Sequence, residues 1–117
     1  MGSTLISSFQ NSKAEVVEKI KLSDTGTQSF SSTFLGMKQL REIRFEGVIG
    51  NNISFKDSTL LSAESMASIV EALSASASGK TLTLSQTAVN NADWTTTAYA
   101  DWAALIATKT NWTFSLV

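Results

Sequence analysis

The feature that most constrains this chain is a unit it carries twice. Val17-Glu18-Lys19-Ile20-Lys21-Leu22 and Leu40-Arg41-Glu42-Ile43-Arg44-Phe45 match position for position as apolar, charged, charged, apolar, basic, apolar, at an offset of 23 residues. An aromatic anchor precedes each copy, Phe9 the first and Phe34 the second. So short a unit cannot bury its apolar side alone. Copies recurring about every 20–30 residues must stack, each covering the apolar side of its neighbour. Three later segments, Ile53-Ser54-Phe55, Leu82-Thr83-Leu84 and Phe114-Ser115-Leu116, share the alternating core of the unit. Alternation turns two apolar side chains of each segment inward and leaves small or charged ones outward.

Two helical patterns lie between these strands. Met66, Ile69, Val70 and Leu73 fall at i, i+3, i+4 and i+7, with Ser62 as N-cap and Glu64 in the positive first turn. Gly79 ends the following loop, ahead of a strand over residues 81–85. The second pattern puts Ala98, Trp102, Leu105 and Ile106 on one face, with Lys109 near its negative end and Asn111 at its exit, before a last strand over residues 112–117. Strand, helix, strand, helix, strand with short links is the order that gives parallel strands through right-handed crossovers. Ile43 and Ile53 stand only ten residues apart, less than a full coil. Residues 45–55 therefore form either a hairpin around Val48-Ile49-Gly50-Asn51 or two strands stacked through an abbreviated link, and the second keeps the sheet parallel.

Composition removes most catalytic chemistries. The chain has 117 residues, no histidine, cysteine or proline, 43% apolar and 16% charged residues, and a net charge of −1. That composition fits one folded domain over residues 1–117, with residues 1–8 expected outside the repeats; Gly2-Ser3 is a pair that expression vectors commonly leave. No thiol, imidazole or Cys/His zinc site is available, and no basic cluster suggests a nucleic-acid partner. No run approaches the roughly 18 apolar residues of a membrane span, so membrane insertion is not expected. Gly79-Lys80-Thr81 copies the end of a phosphate loop, but Ser74 replaces the upstream glycine and the order is helix then strand. Ala92-Asp93-Trp94 and Ala100-Asp101-Trp102 repeat at a spacing of eight without any blade repeat, which suits a core Trp102 and a covering Trp94.

In order and spacing the segments resemble bacterial surface-type, BspA-like leucine-rich repeat proteins. Phe34-Leu35-Gly36-Met37-Lys38-Gln39-Leu40 is similar to the family's F-x-G-C-x-x-L, with Ile43-Arg44-Phe45 as its strand. Ile53-Ser54-Phe55, Leu60, Ser65-Met66-Ala67-Ser68-Ile69 and Lys80-Thr81-Leu82-Thr83-Leu84 are similar to its C-terminal repeats, so the likeness runs from about residue 9 to residue 117. Met37 stands where the family often has cysteine, and Thr25, Val48, Ser58 and Thr87 stand where it has asparagine after the strand. The resemblance implies an α/β fold: a short right-handed β/α solenoid of leucine-rich-repeat type, with a parallel sheet on one face and helices on the other. It implies a noncatalytic module without cofactor or metal, binding a protein or glycan or acting as a spacer, in a bacterial surface, secreted or phage-borne (virion) protein.

Such a fold lines a concave sheet surface with the outward strand residues. The binding candidates are Lys19, Lys21, Glu42, Arg44, Glu46, Ser54, Lys56, Thr81, Thr83 and Ser85, continued by Ser23, Asn52, Thr113 and Ser115. Charge concentrates in the first half; the second is a hydroxyl strip suited to shallow hydrogen bonding. The alternative, a small carboxylate-dependent carbohydrate-processing enzyme, rests on Glu42, Glu46 and Asp57, though interleaved lysines and arginines favour a solvated, compensated face. The last strand leaves an unpaired edge open to self-association.

Overall fold

The computed structural model describes residues 13–21 and 34–117, the side chains of Glu18, Lys19 and Lys21 excepted. The anchor Phe9, together with Leu22, Ser23 and Thr25, lies outside the described residues. The elements run β1 (Val16–Lys21), β2 (Glu42–Glu46), β3 (Ile53–Phe55), α1 (Ala63–Ala72), β4 (Thr81–Leu84), α2 (Gln86–Asn91), a 3-10 turn (Trp94–Thr96), α3 (Trp102–Ile106), a second 3-10 turn (Ala107–Lys109) and β5 (Thr113–Leu116). The fold is mixed α/β, and among the described residues every strand pair is parallel and neither sheet closes into a barrel.

The duplicated unit does form a strand pair, in a shifted register. Val17 lies opposite Ile43 and Ile20 opposite Phe45, whereas the sequence match aligns Val17 with Leu40 and Ile20 with Ile43. An apolar-x-x-apolar-x-apolar pattern can slide by one apolar step. Ile20 stands three positions after Val17 but Phe45 only two after Ile43, so β1 is irregular between its paired positions. Leu40, fully buried, anchors the turn ahead of β2.

The single sheet expected from five strands is divided. β1 and β2 form one sheet and β3-β4-β5 another, so residues 45–55 are neither a hairpin nor two stacked strands. The reason lies in the serines of α1. The Ile43 N–H donates to the Ser65 hydroxyl at 2.9 Å and the Phe45 N–H to the Ser68 hydroxyl at 3.1 Å, which occupies the edge of β2 that a neighbouring strand would need. The chain turns away at Gly47, whose φ of 108° is a conformation glycine adopts without a Cβ clash. Ile49 then bridges in parallel to Leu73 at the end of α1 before β3 joins β4.

Helix α1 follows its sequence pattern closely. Ser62 caps it by accepting the Ser65 N–H at 3.1 Å, and Met66, Ile69, Val70 and Leu73 are buried. The core they join includes Ile53, Phe55, Leu82, Leu84, Leu105 and Trp112. Phe34 stacks on Phe55 with ring centroids 4.6 Å apart, and Phe45 meets both rings edge-on. Other contacts repeat the 21-residue separation of Phe34 from Phe55. The Gly36 N–H donates to Asp57, the Ser58 hydroxyl to the Met37 carbonyl, and the Ser62 N–H to the Arg41 carbonyl.

The C-terminal segment departs from expectation in useful ways. Ala98 is exposed, because α3 begins only at Trp102. Both Asp-Trp pairs are helix starts: Asp93 accepts from the Thr95 N–H and Asp101 from the Ala104 N–H. Trp94 and Trp102 pack 6.2 Å apart, half-buried, and Trp102 meets Phe114 edge-on. Lys109 serves a different helix from its own. Its Nζ donates to the carbonyls of Val70 (3.2 Å), Glu71 (3.1 Å) and Leu73 (2.6 Å), completing the C-terminus of α1, which has no basic residue in its last turn. Burial draws the Lys109 ammonium below the usual lysine range, with Glu71 pulling the other way. Asn111 and the Trp112 indole bind the Ser74 carbonyl beside it. Lys109→Met keeps the apolar stem and removes the donor; urea unfolding should report a loss of about 1–2 kcal/mol, the scale of a charged hydrogen bond on a half-exposed group.

Candidate binding face

The three-stranded sheet sorts its side chains by alternation. Ile53, Leu82 and Phe114 lie in one register row and Phe55, Leu84 and Leu116 in another, both turned to the core. The residues between them must face the opposite way. Ser54, Thr83 and Ser115 therefore form one row across β3, β4 and β5, and Thr81 lies opposite Thr113 in the next. Asn52 completes that second row at the mouth of β3, where its side-chain oxygen accepts the Thr81 N–H at 2.9 Å. Sheet geometry spaces these groups by about 4.8 Å between strands and about 6.6 Å along a strand.

The six side chains carry no charge. Ser54 is the deep end at 9% exposure and accepts the Lys56 N–H at 3.4 Å; Thr81, Thr83 and Ser115 are half-buried, and Asn52 and Thr113 are exposed. Among the described residues the hydroxyls of Thr81, Thr83, Thr113 and Ser115 make no hydrogen bond, so each keeps a donor and acceptor for a ligand or water. A half-buried array with unspent hydroxyls on fixed strands is preorganised for shallow polar recognition.

The remaining candidates do not join this face. Ser85 is buried as the N-cap of α2, accepting the Ala88 N–H at 3.3 Å, so it does not line the surface. Lys56 is exposed just beyond β3. Glu42, Arg44 and Glu46 belong to β2 in the other sheet, as do the backbones of Lys19 and Lys21 in β1. Glu42 accepts from the hydroxyls of Ser62 and Ser65 and pairs with Arg44 at 3.2 Å. Asp57 accepts the Gly36 N–H at 2.8 Å. Glu42 and Asp57 are thus held by separate backbone and side-chain partners, and among the described residues no group of three or more acidic side chains is placed to hold a metal.

Two further features bear on function. An open groove of about 300 Å³ lies between the start of α1 and α2, lined by Leu60, Ser62, Glu64, Ala88, Asn91 and Asp93. Ser62 and Asp93 already serve as caps there, and the Thr95 hydroxyl and amide hold the Asp93 carboxyl below the usual carboxylate range. Among the described residues no helix is long and apolar enough to cross a membrane. Comparison with protein families, with curated proteins and with solved structures found no match to this chain.

Proposed function

We propose that this chain is a noncatalytic binding module, a short right-handed β/α solenoid of leucine-rich-repeat type, that holds a neutral glycan on the outer face of β3-β4-β5. The observation that carries the reading is the set of unspent hydroxyls in register across three parallel strands. Sugars present hydroxyls at every ring, which neutral Ser, Thr and Asn side chains can meet as both donors and acceptors. Protein interfaces, in contrast, centre on aromatic and arginine anchors, and the two rows contain neither. The 21-residue contacts between successive segments and the parallel pairing throughout support the solenoid reading. The BspA-like resemblance supplies the proposed setting, a bacterial surface, secreted or phage-borne protein.

The test is a panel of neutral oligosaccharides read by calorimetry. Thr83→Val keeps side-chain volume and removes the central hydroxyl. Affinity should fall about tenfold, the worth of roughly one good hydrogen bond, while the urea midpoint stays within error. Binding of no neutral glycan, or binding indifferent to Thr83→Val, contradicts the proposal.

A further inference from the structure

The outer strand of the same sheet presents an edge that no described strand covers. β5 is the last strand of the β3-β4-β5 order. Thr113 and Val117 donate their N–H groups to the Lys80 and Leu84 carbonyls, and the Gln86 N–H donates to the Val117 carbonyl. In a parallel pair, alternate residues carry the bonds to one neighbour. Thr113, Ser115 and Val117 therefore face β4, and Phe114 and Leu116 turn their N–H and C=O groups to the outer edge, where none of the described residues pairs with them.

This edge lacks the usual guards. The side chains of residues 110–117 carry no charge and the chain contains no proline. The inward residues of β3 and β4 are buried, yet Phe114 and Leu116 are only half-buried and Val117 is 62% exposed. The apolar layer thus continues to a rim that the described residues leave half-exposed.

We propose that β5 pairs antiparallel with β5 of a second copy, about a two-fold axis through Ser115. The sequence is self-complementary in that register. Phe114 lies opposite the second copy's Leu116, and both are outward-bonding residues, so they form the hydrogen-bonded pairs of the ladder and align apolar with apolar. Ser115 meets the second copy's Ser115 as a non-hydrogen-bonded pair, and no like charges oppose each other. The result is a six-stranded sheet with an isologous interface, independent of whether the hydroxyl face binds glycan.

The chain has no cysteine, so cross-linking reads the register directly. A non-hydrogen-bonded pair holds its Cα atoms about 4.5 Å apart, within disulfide range. Under mild oxidation Ser115→Cys should give a covalent dimer, and Thr113→Cys, whose counterpart is Val117 and whose own copy lies about 13 Å along the strand, should not cross-link within the dimer. Ser115→Lys places like charges face to face, and sedimentation should show its dimer lost with the circular dichroism unchanged. A wild-type monomer at millimolar concentration, equal cross-linking of the two cysteine variants, or a dimer that Ser115→Cys fails to cross-link overturns the proposal.

Discussion

Phe55→Ala is expected to cost about 3–5 kcal/mol in urea or guanidinium unfolding, the range for removing a fully buried phenylalanine. Phe55 has no solvent exposure, and its ring stacks on Phe34 and meets Phe45 edge-on. It joins three segments that are remote in sequence: the turn at residue 34, β2 and β3. Against a total stability of about 5–15 kcal/mol, such a loss brings a domain of this size close to unfolding. Phe45→Ala should cost less, because Phe45 is half-buried. A double-mutant cycle on Phe34 and Phe55 should return a coupling of about 1 kcal/mol, since the pair is in direct aromatic contact. A Phe55→Ala loss under about 1 kcal/mol would be at odds with a buried ring.

Ser65→Ala is the second large effect, and it acts through hydrogen bonds. The Ser65 hydroxyl accepts from the Ile43 N–H at 2.9 Å and from Arg44 Nη1 at 2.7 Å, and donates to Glu42 at 3.2 Å. Ser65 and Ile43 are both fully buried. Alanine would strand the Ile43 N–H where water cannot reach it, at about 2–3 kcal/mol. Ser68→Ala, which frees only the Phe45 N–H beneath a half-buried serine, should cost about 1 kcal/mol. The same denaturation experiments give both numbers. Equal and small losses would mean that α1 does not close the edge of β2.

Much of this was readable in the sequence. The cap and apolar face of α1 follow from Ser62, Met66, Ile69, Val70 and Leu73, because local spacing alone dictates which side of a helix is buried. The alternation in β4 and β5 likewise foretold the hydroxyl rows. Apolar patterns do not say where a serine hydroxyl ends, so the closure of β2 by Ser65 and Ser68, and with it the division of the sheet, was hidden. Helix α2 spans six residues and buries only Ala88 and Val89, too few for a periodic signal, and its cap Ser85 reads in the sequence as the outward end of a strand. Lys109 grips carbonyls 36 to 39 residues away, a contact set by the fold and by no local rule. The sequence placed Glu42, Glu46 and Asp57 together as candidate acids, but it could not show that Glu42 accepts from Ser62 and Ser65 and Asp57 from the Gly36 N–H.

The core rows, the hydroxyl face and the outer edge of β5 all depend on one register, since a slip of one residue would turn every side chain to the opposite face. Cross-strand nuclear Overhauser contacts measure that register most directly. They should connect the backbone of Ser54 with Thr83 and of Thr83 with Ser115, and no backbone-to-backbone contact should join β2 to β3, whose only expected contacts are between core side chains such as Phe45 and Phe55. Backbone contacts between Phe45 and Ile53, or a one-residue slip between β4 and β5, would contradict it.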